Sequence, residues 1–201
     1  MAEPLPAIVL EGAAVRLEPL RPSHLGALQA VGLDPDLWRW TPSPVETADD
    51  LERYVAGALE AHARGDALPF ATVDRATGAV VGSTRFGNVA LEHRRTEIGW
   101  TWIARPWQRT AINTEAKLLM LRHAFGPLGC LRVEWKTDAL NERSRRAILR
   151  LGAVEEGTLR SHMVTSSGRV RDSVYFSVTT DEWPGVESTL AARLDRSAAA
   201  P

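Results

Sequence analysis

The stretch RPWQRTAINTEAKLLMLRHAF, residues 105–125, is the first place where residue types and order suggest chemistry. A strand ending near Ala104 passes through a polar elbow into a helix that is apolar over much of its surface. The first turn of a helix presents backbone N–H groups without intrahelical acceptors, at the positive end of the helix dipole. Such a start attracts an anion, a phosphate above all. Phosphate-cradling loops usually carry glycine, yet none stands between Gln108 and Glu115, and a plain turn into a core helix is the competing reading. A second helix start follows in DALNERSRRAILRLGA, residues 138–153. There Ser144, Ala147, Ile148 and Leu151 share a face at i, i+3, i+4, i+7 spacing, so Ser144 sets a hydroxyl on the inward side of the first turn. Arg143, Arg146 and Arg150 form a basic stripe elsewhere, with Glu142 spaced to pair with Arg146. Capping by Asn141, an ordinary serine and a solvated charged face account for the same residues without a ligand.

The elements that must position these groups read clearly. VRLEPL (15–20) alternates as a strand, and PSHLGALQAVG (22–32) is a short helix. A loop rich in Pro and Asp, residues 33–46, holds Trp38 and Trp40. The helix of residues 47–65 is capped by Thr47, has acids in its first turn and turns Leu51, Val55, Ala58 and Leu59 inward. Strands at 68–74 and 79–89 form a hairpin. RTEIGWTWIA (95–104) follows, and strict alternation puts Ile98, Trp100 and Trp102 on one face, with Glu97, Gly99 and Thr101 on the other. Next come a helix at 111–125, a strand at 131–137, a helix at 141–153 and a closing hairpin, VEEGTLRSHMV and VRDSVYFSVT, around TSSGR (165–169). Only the middle portion alternates strand and helix, which predicts an α/β (α+β type) fold with a mixed sheet. Residues 1–183 are expected to form one domain, and residues 184–201 a frayed or disordered tail.

Composition narrows the function. With 201 residues, 44% hydrophobic and 24% charged, the chain supports one domain with a substantial core. A formal charge of -1 argues against nucleic acid as a main partner. Cys130 is the single cysteine, which excludes an internal disulfide and any multi-cysteine metal site. The five histidines are scattered without ligand spacing, so no metal site is expected. The N-terminus lacks the features of a signal peptide, and no apolar run approaches the ~18 residues of a membrane span. A soluble, cytoplasmic protein is expected, with no membrane partner.

Taken in order, the motifs resemble the coenzyme A-binding core of the GNAT acyltransferases, in particular their RimJ/RimL-like branch. QRTAINTEA (108–116) is similar to that family's Q/R-x-x-G-x-G/A elbow continued by T-E-A, with Gln108 and Thr114-Glu115-Ala116 in place. EIGW, LNERSRRAI followed by LGA, and RDSVYFSV are also similar to this branch, and the likeness spans about residues 10–183. Ala111 and Asn113 replace the two glycines. Alanine adds only a methyl, and asparagine is among the residues that tolerate the left-handed region.

The resemblance implies a mostly antiparallel sheet flanked by helices and splayed at its central parallel strands. It implies transfer of an acetyl group from acetyl-CoA, without metal, to a primary amine: a protein N-terminal α-amine or a small molecule. The diphosphate would sit on backbone donors of Arg109, Thr110, Ala111, Ile112, Asn113 and Thr114, next to Gln108. Backbone groups of Trp102 and Ile103 would orient the thioester, Asn141 would hold the pantetheine arm with Arg146 nearby, and Ser144 would meet the departing sulfur. An amine reacts only unprotonated; at pH 7 about 14% of an α-amine and about 0.04% of a lysine amine are free base. Glu97 is the leading base, with a surface ion pair to Arg94 or Arg95 as its bland alternative and His93 as second choice. Trp38 and Trp40 either wall the acceptor pocket or cover the sheet. The acids around them, Asp34, Asp36, Glu46, Asp49, Asp50 and Glu52, fit a cationic acceptor or a helix N-terminus. Homodimerisation is compatible with the branch. A catalytically silent CoA-binding module, or an acyltransferase using another donor such as succinyl-CoA, is the alternative. A Rossmann-type oxidoreductase is disfavoured because no G-x-G-x-x-G occurs.

Overall fold

Alternating apolar and polar residues build one eight-stranded sheet in the computed structural model, which describes residues 4–42 and 44–198. The strands are β1 (Leu10–Glu11), β2 (Val15–Pro19), β3 (Leu68–Asp74), β4 (Val80–Ala90), β5 (Arg95–Ile103), β6 (Arg132–Asp138), β7 (Val154–Val164) and β8 (Val170–Thr179). Their spatial order is β1-β2-β3-β4-β5-β6-β8-β7, and β5–β6 is the one parallel pair among them. The helices are α1 (Leu25–Gly32), α2 (Ala48–Ala63), α3 (Ala111–Phe125), α4 (Glu142–Arg150) and α5 (Trp183–Ala198). On one face Leu28 of α1 and Leu51, Val55 and Ala58 of α2 pack with Trp38, Ala71 and Trp102. On the other face Met120 and Leu121 of α3, Ile148 of α4 and Leu190 of α5 pack with Phe70, Phe86, Ile98 and Phe176.

The parallel pair is short. Arg95, Thr96 and Glu97 face Arg132, Val133 and Glu134, and no pairing between β5 and β6 continues beyond Glu97. The sheet therefore forks, as the splayed arrangement requires. One arm of the fork runs into the α3 elbow, the other into the start of α4.

A carboxylate fixes α3 to the sheet edge. Glu115 accepts hydrogen bonds from the backbone N–H groups of Ala13, Ala14 and Val15 at 2.8, 2.6 and 2.8 Å. Gly12 makes room for it, since a Cβ there would stand 2.3 Å from the Glu115 carboxyl carbon. The T-E-A run thus has a structural reason: it joins the β1–β2 turn to the helix that follows the elbow.

The expected C-terminal tail is instead helix α5, and residues 199–201 lie outside the described residues. Val186 and Leu190 are buried, Leu194 packs on the same core, and Phe125 stacks on Trp183 at 5.2 Å. The i, i+4, i+8 spacing of those three aliphatics is an amphipathic signal; Pro184 and Gly185 at its start obscure it, although Pro is tolerated in the first turn. Leu190→Ala should lower unfolding stability by about 2–5 kcal/mol, read from the denaturant midpoint. Wild-type stability would return this segment to the status of a tail.

Candidate active site

Glu97 ends the parallel pairing and stands at the fork. It is buried, and its Oε2 accepts from Lys136 Nζ at 2.8 Å and Asn88 Nδ2 at 2.6 Å. The arginines expected as partners lie elsewhere: Arg95 pairs with Glu134, and Arg94 Nε donates to the Gly129 carbonyl. Oε1 rests over Gly99, 2.9 Å from where a Cβ would be. His93 is in an exposed turn beside Glu92.

Just beyond Glu97 the strand breaks its own alternation. Arg85 pairs with Gly99 and Ser83 with Trp102, so Trp100 and Thr101 together oppose the single residue Thr84. This is a β-bulge. Trp100 takes φ = 50°, a region that bulky residues rarely adopt. The expected faces are therefore corrected. Ile98 joins the α3-side core, while Trp102 joins the α1–α2 side and Trp100 lies over Gly87, against Arg85 and Lys136. Trp100 is held by Tyr54, whose hydroxyl donates to its carbonyl at 3.0 Å. On the opposite face Lys117 Nζ donates to Thr84 and Thr101 hydroxyls at 2.7 and 2.8 Å. Burial pushes this ammonium down to about 7.

The elbow is rigidly braced. Gln108 Nε2 donates to the Ile103 carbonyl at 2.7 Å, Trp107 Nε1 to Asp74 at 3.1 Å, and the Thr110 hydroxyl to the Trp107 carbonyl at 2.8 Å. Thr110 caps α3 by accepting from Ile112 N–H. Ala111 and Asn113 both lie in the first helical turn, so neither position needs a left-handed backbone; Arg109, at φ = 64°, takes that conformation instead. Arg109, Thr110, Ala111, Thr114, Arg150, Arg193 and Leu194 line a concavity of about 350 Å³. Neither Arg109 nor Arg150 has a carboxylate partner among the described residues. Helix donors and three guanidinium groups converge on this concavity, chemistry suited to a multiply charged anion. Arg150 lay on the stripe visible in the sequence; Arg193 lay in the segment expected to fray. Arg146, expected near the ligand, is 74% exposed and pairs with Glu142.

At the other arm Asn141 accepts from Ser144 N–H at 3.1 Å and caps α4. Ser144 is half-buried, and its hydroxyl makes no hydrogen bond among the described residues. Trp38 is a core residue: its Nε1 donates to Gly32 O at 2.7 Å, and its ring meets Tyr54 and Trp102. Trp40 is half-buried between the guanidinium groups of Arg39 and Arg169, at 5.1 and 5.7 Å. Three of the six acids are occupied within the fold. Asp34 and Asp36 pair with Arg105, which holds the Asp34 carboxyl below the usual range, and Asp50 joins Thr47 in a capping box. A cationic acceptor therefore gains no support from these three.

This arrangement defines a class: a forked mixed sheet with an anion-receiving elbow on one arm and a capped helix on the other. The chain belongs to the GNAT acetyltransferases, since residues 14–154 match the family described as Acetyltransferase (GNAT) domain. N-acetyltransferase YoaA of Bacillus subtilis strain 168 is 32% identical over 108 residues, covering 54% of this chain and 60% of its own length. YdaF of the same organism, with ribosomal N-acetyltransferase in its name, is 33% identical over 108 residues, 54% of this chain and 58% of its own. The matched stretch thus spans less than two thirds of these curated relatives. A GCN5-related N-acetyltransferase from Brucella melitensis superposes with a TM-score of 0.87 at 33% identity, covering 96% of this chain and 89% of that one. Mycobacterium smegmatis RimJ in complex with CoA-disulfide gives 0.76 at 26% identity, covering 94% and 93%.

Two outcomes follow. Lys117 is depressed in the fold relative to about 10.4 in the unfolded chain, so the unfolded state binds more protons between about pH 7 and 10. Stability then rises with pH across that window and is unaffected by this group below it. Lys117→Met should flatten the rise by several kcal/mol, measured by denaturant unfolding at pH 6, 7 and 10; parallel profiles would show a Lys117 that stays charged. At the elbow, Ala111→Gly should bind acetyl-CoA as wild type does. Ala111→Val should weaken it at least tenfold, or ~1.4 kcal/mol, and Ala111→Asp more. If folded Val and Asp variants bind as wild type in calorimetry, the elbow is only a turn.

Proposed function

We propose that this protein transfers the acetyl group of acetyl-CoA to a primary amine. The observation that carries the reading is the arginine-lined elbow at the end of the bulged strand, within a chain of the GNAT family. Its residues suit a diphosphate: first-turn amides supply directed donors, and Arg109, Arg150 and Arg193 supply charge. M. smegmatis RimJ, a structural relative with a CoA derivative bound, supports the same ligand class. The fork then gives the pantetheine arm a path between β5 and β6, past the bulge.

The free amine nitrogen bonds to the thioester carbonyl carbon, and the carbon–sulfur bond breaks. The sulfur leaves as thiolate and takes up a proton from solvent, and the nitrogen sheds its surplus proton to become an amide. Glu97 receives that proton, directly or through water, on Oε1; Oε2 already accepts from Lys136 and Asn88, which fix the carboxylate in place. Ser144 offers a hydroxyl at the first turn of α4 to the departing sulfur. A serine is a poor acid, so its role is a hydrogen bond. An α-amine suits such a site, because its protonation opposes reaction by only about 1 kcal/mol at pH 7.

Release of CoA thiol across an amine panel tests the reading; acetyl-CoA binding without release for any amine would leave a silent binding module. For Glu97→Gln, turnover should fall about a hundredfold at pH 7, and the deficit should shrink above pH 8 as solution deprotonates the amine. A constant deficit from pH 6 to 9.5, at unchanged acetyl-CoA affinity, would remove Glu97 from the base role.

A further inference from the structure

Arg85, near the fork, is left unexplained by the transfer chemistry. It lies on β4, is only 6% exposed, and has no carboxylate within ion-pair distance and no side-chain hydrogen bond among the described residues. Its guanidinium lies 4.9 Å from the Tyr54 ring centre and 5.1 Å from that of Trp100. Its Nε is buried without a partner. A guanidinium keeps its charge at all relevant pH and carries five N–H donors. Buried charges in proteins are paired as a rule, and the two other buried cations each face at least one polar group. Arg171 faces Asp138 at 3.8 Å, and Lys117 holds two threonine hydroxyls. Ring faces position Arg85 but leave its Nε–H unmet, and its terminal nitrogens, not fully buried, have no protein partner among the described residues.

Its place is as informative as its isolation. Arg85 pairs with Gly99 and Gly87 with Glu97, so Arg85 and Glu97 are diagonal neighbours on one sheet face, with Cβ atoms about 7–8 Å apart. Between them lies Trp100, 42% exposed, whose ring Lys136 also approaches at 5.8 Å. Glu97 and Lys136 neutralise each other. Arg85 therefore adds a positive charge beside Trp100 that no carboxylate among the described residues pairs.

We propose that Arg85 receives a carboxylate of the acceptor itself, so that the amine presented to Glu97 belongs to a molecule with an anionic group a few bonds from its nitrogen. A free amino acid and a peptide with an acidic residue at its N-terminus share this chemistry. The inference rests on the amine-transfer reading above for the role of Glu97, but not for the ligand at Arg85.

The test uses acceptors matched in pairs: an amino acid against its amide, and Glu-Ala-Ala-Ala against Gln-Ala-Ala-Ala tetrapeptides with amidated C-termini. Each pair is measured for kcat/KM with acetyl-CoA, and for affinity by calorimetry in protein saturated with CoA, where no turnover is needed. The anionic member should be favoured at least tenfold in the amino-acid or the peptide arm, which identifies the source. Arg85→Met should bring the ratio close to one, mainly through KM, with acetyl-CoA affinity kept; Arg85→Lys should retain part of it. Equal use of both members by the wild type, no binding of either, or a ratio that survives Arg85→Met overturns the proposal. Should the Met variant not fold, the wild-type ratio and the Lys variant decide. Charge-dependent binding without thiol release keeps the proposal and sinks the transfer reading; acetylation indifferent to charge does the reverse.

Discussion

The two-against-one bulge at Trp100 and Thr101 governs the centre of the molecule. It reverses the phase of β5, so that Ile98 fills the α3-side core while Trp102 fills the α1–α2 side. It falls just beyond the last residue paired with β6, where the sheet opens. A continuous ladder through residues 98–103 would close the arms and leave nowhere for a ligand to enter. A left-handed tryptophan stores about 1–3 kcal/mol of strain, and such strain persists only where neighbours impose it. Here Tyr54 holds the Trp100 carbonyl, and Lys117 holds the next side chain from the far face.

The two cations flanking this strand are both unusual. Lys117 and Arg85 are buried on opposite faces of the sheet, and neither has a carboxylate partner among the described residues. Lysine has a way out of the conflict, since burial lowers its proton affinity to the neutral range. Arginine has no such option. A cation–π contact contributes about 0.5–2 kcal/mol, whereas a buried ion incurs a penalty of several kcal/mol. The rings of Tyr54 and Trp100 therefore reduce the conflict at Arg85 without removing it. Local rules break on both sides of one short segment, and such violations concentrate where a fold is shaped for function.

Much of this was legible in the sequence. The strands at 68–74 and 95–104 and the helix at 111–125 stand within a residue of their expected positions, because alternation, capping and periodicity agree there. The fork was legible only through family likeness. The bulge was not, since reading faces along RTEIGWTWIA assumes a period of two, and one inserted residue inverts everything after it. Loop charges misled for a different reason. Asp34 and Asp36 look like a free acidic patch until Arg105, seventy residues away in sequence, is seen to occupy them. Helix α5 was hidden by Pro184-Gly185 and by attention to its alanine-rich end, and with it went Arg193.

The difference between the two sides of the site has a physical origin. The donor side is made largely of backbone: first-turn amides, strand carbonyls and a capped helix, tied to the sheet edge by Glu115. Ala111 and Asn113, where the family elbow carries glycines, are both helical, so neither position requires a left-handed backbone. The donor side also leaves a sequence trace, since elbows, caps and the T-E-A anchor are local patterns. The proposed acceptor side is made of side chains from α2, β4, β5 and β6, brought together by register alone. Arg85, Trp100 and Lys136 have no common motif, and each reads separately as an ordinary strand residue. One family can therefore share a donor site that is recognisable in outline while its members diverge in what they acetylate. For this chain the divergence is concentrated in the charge that Arg85 brings to the fork.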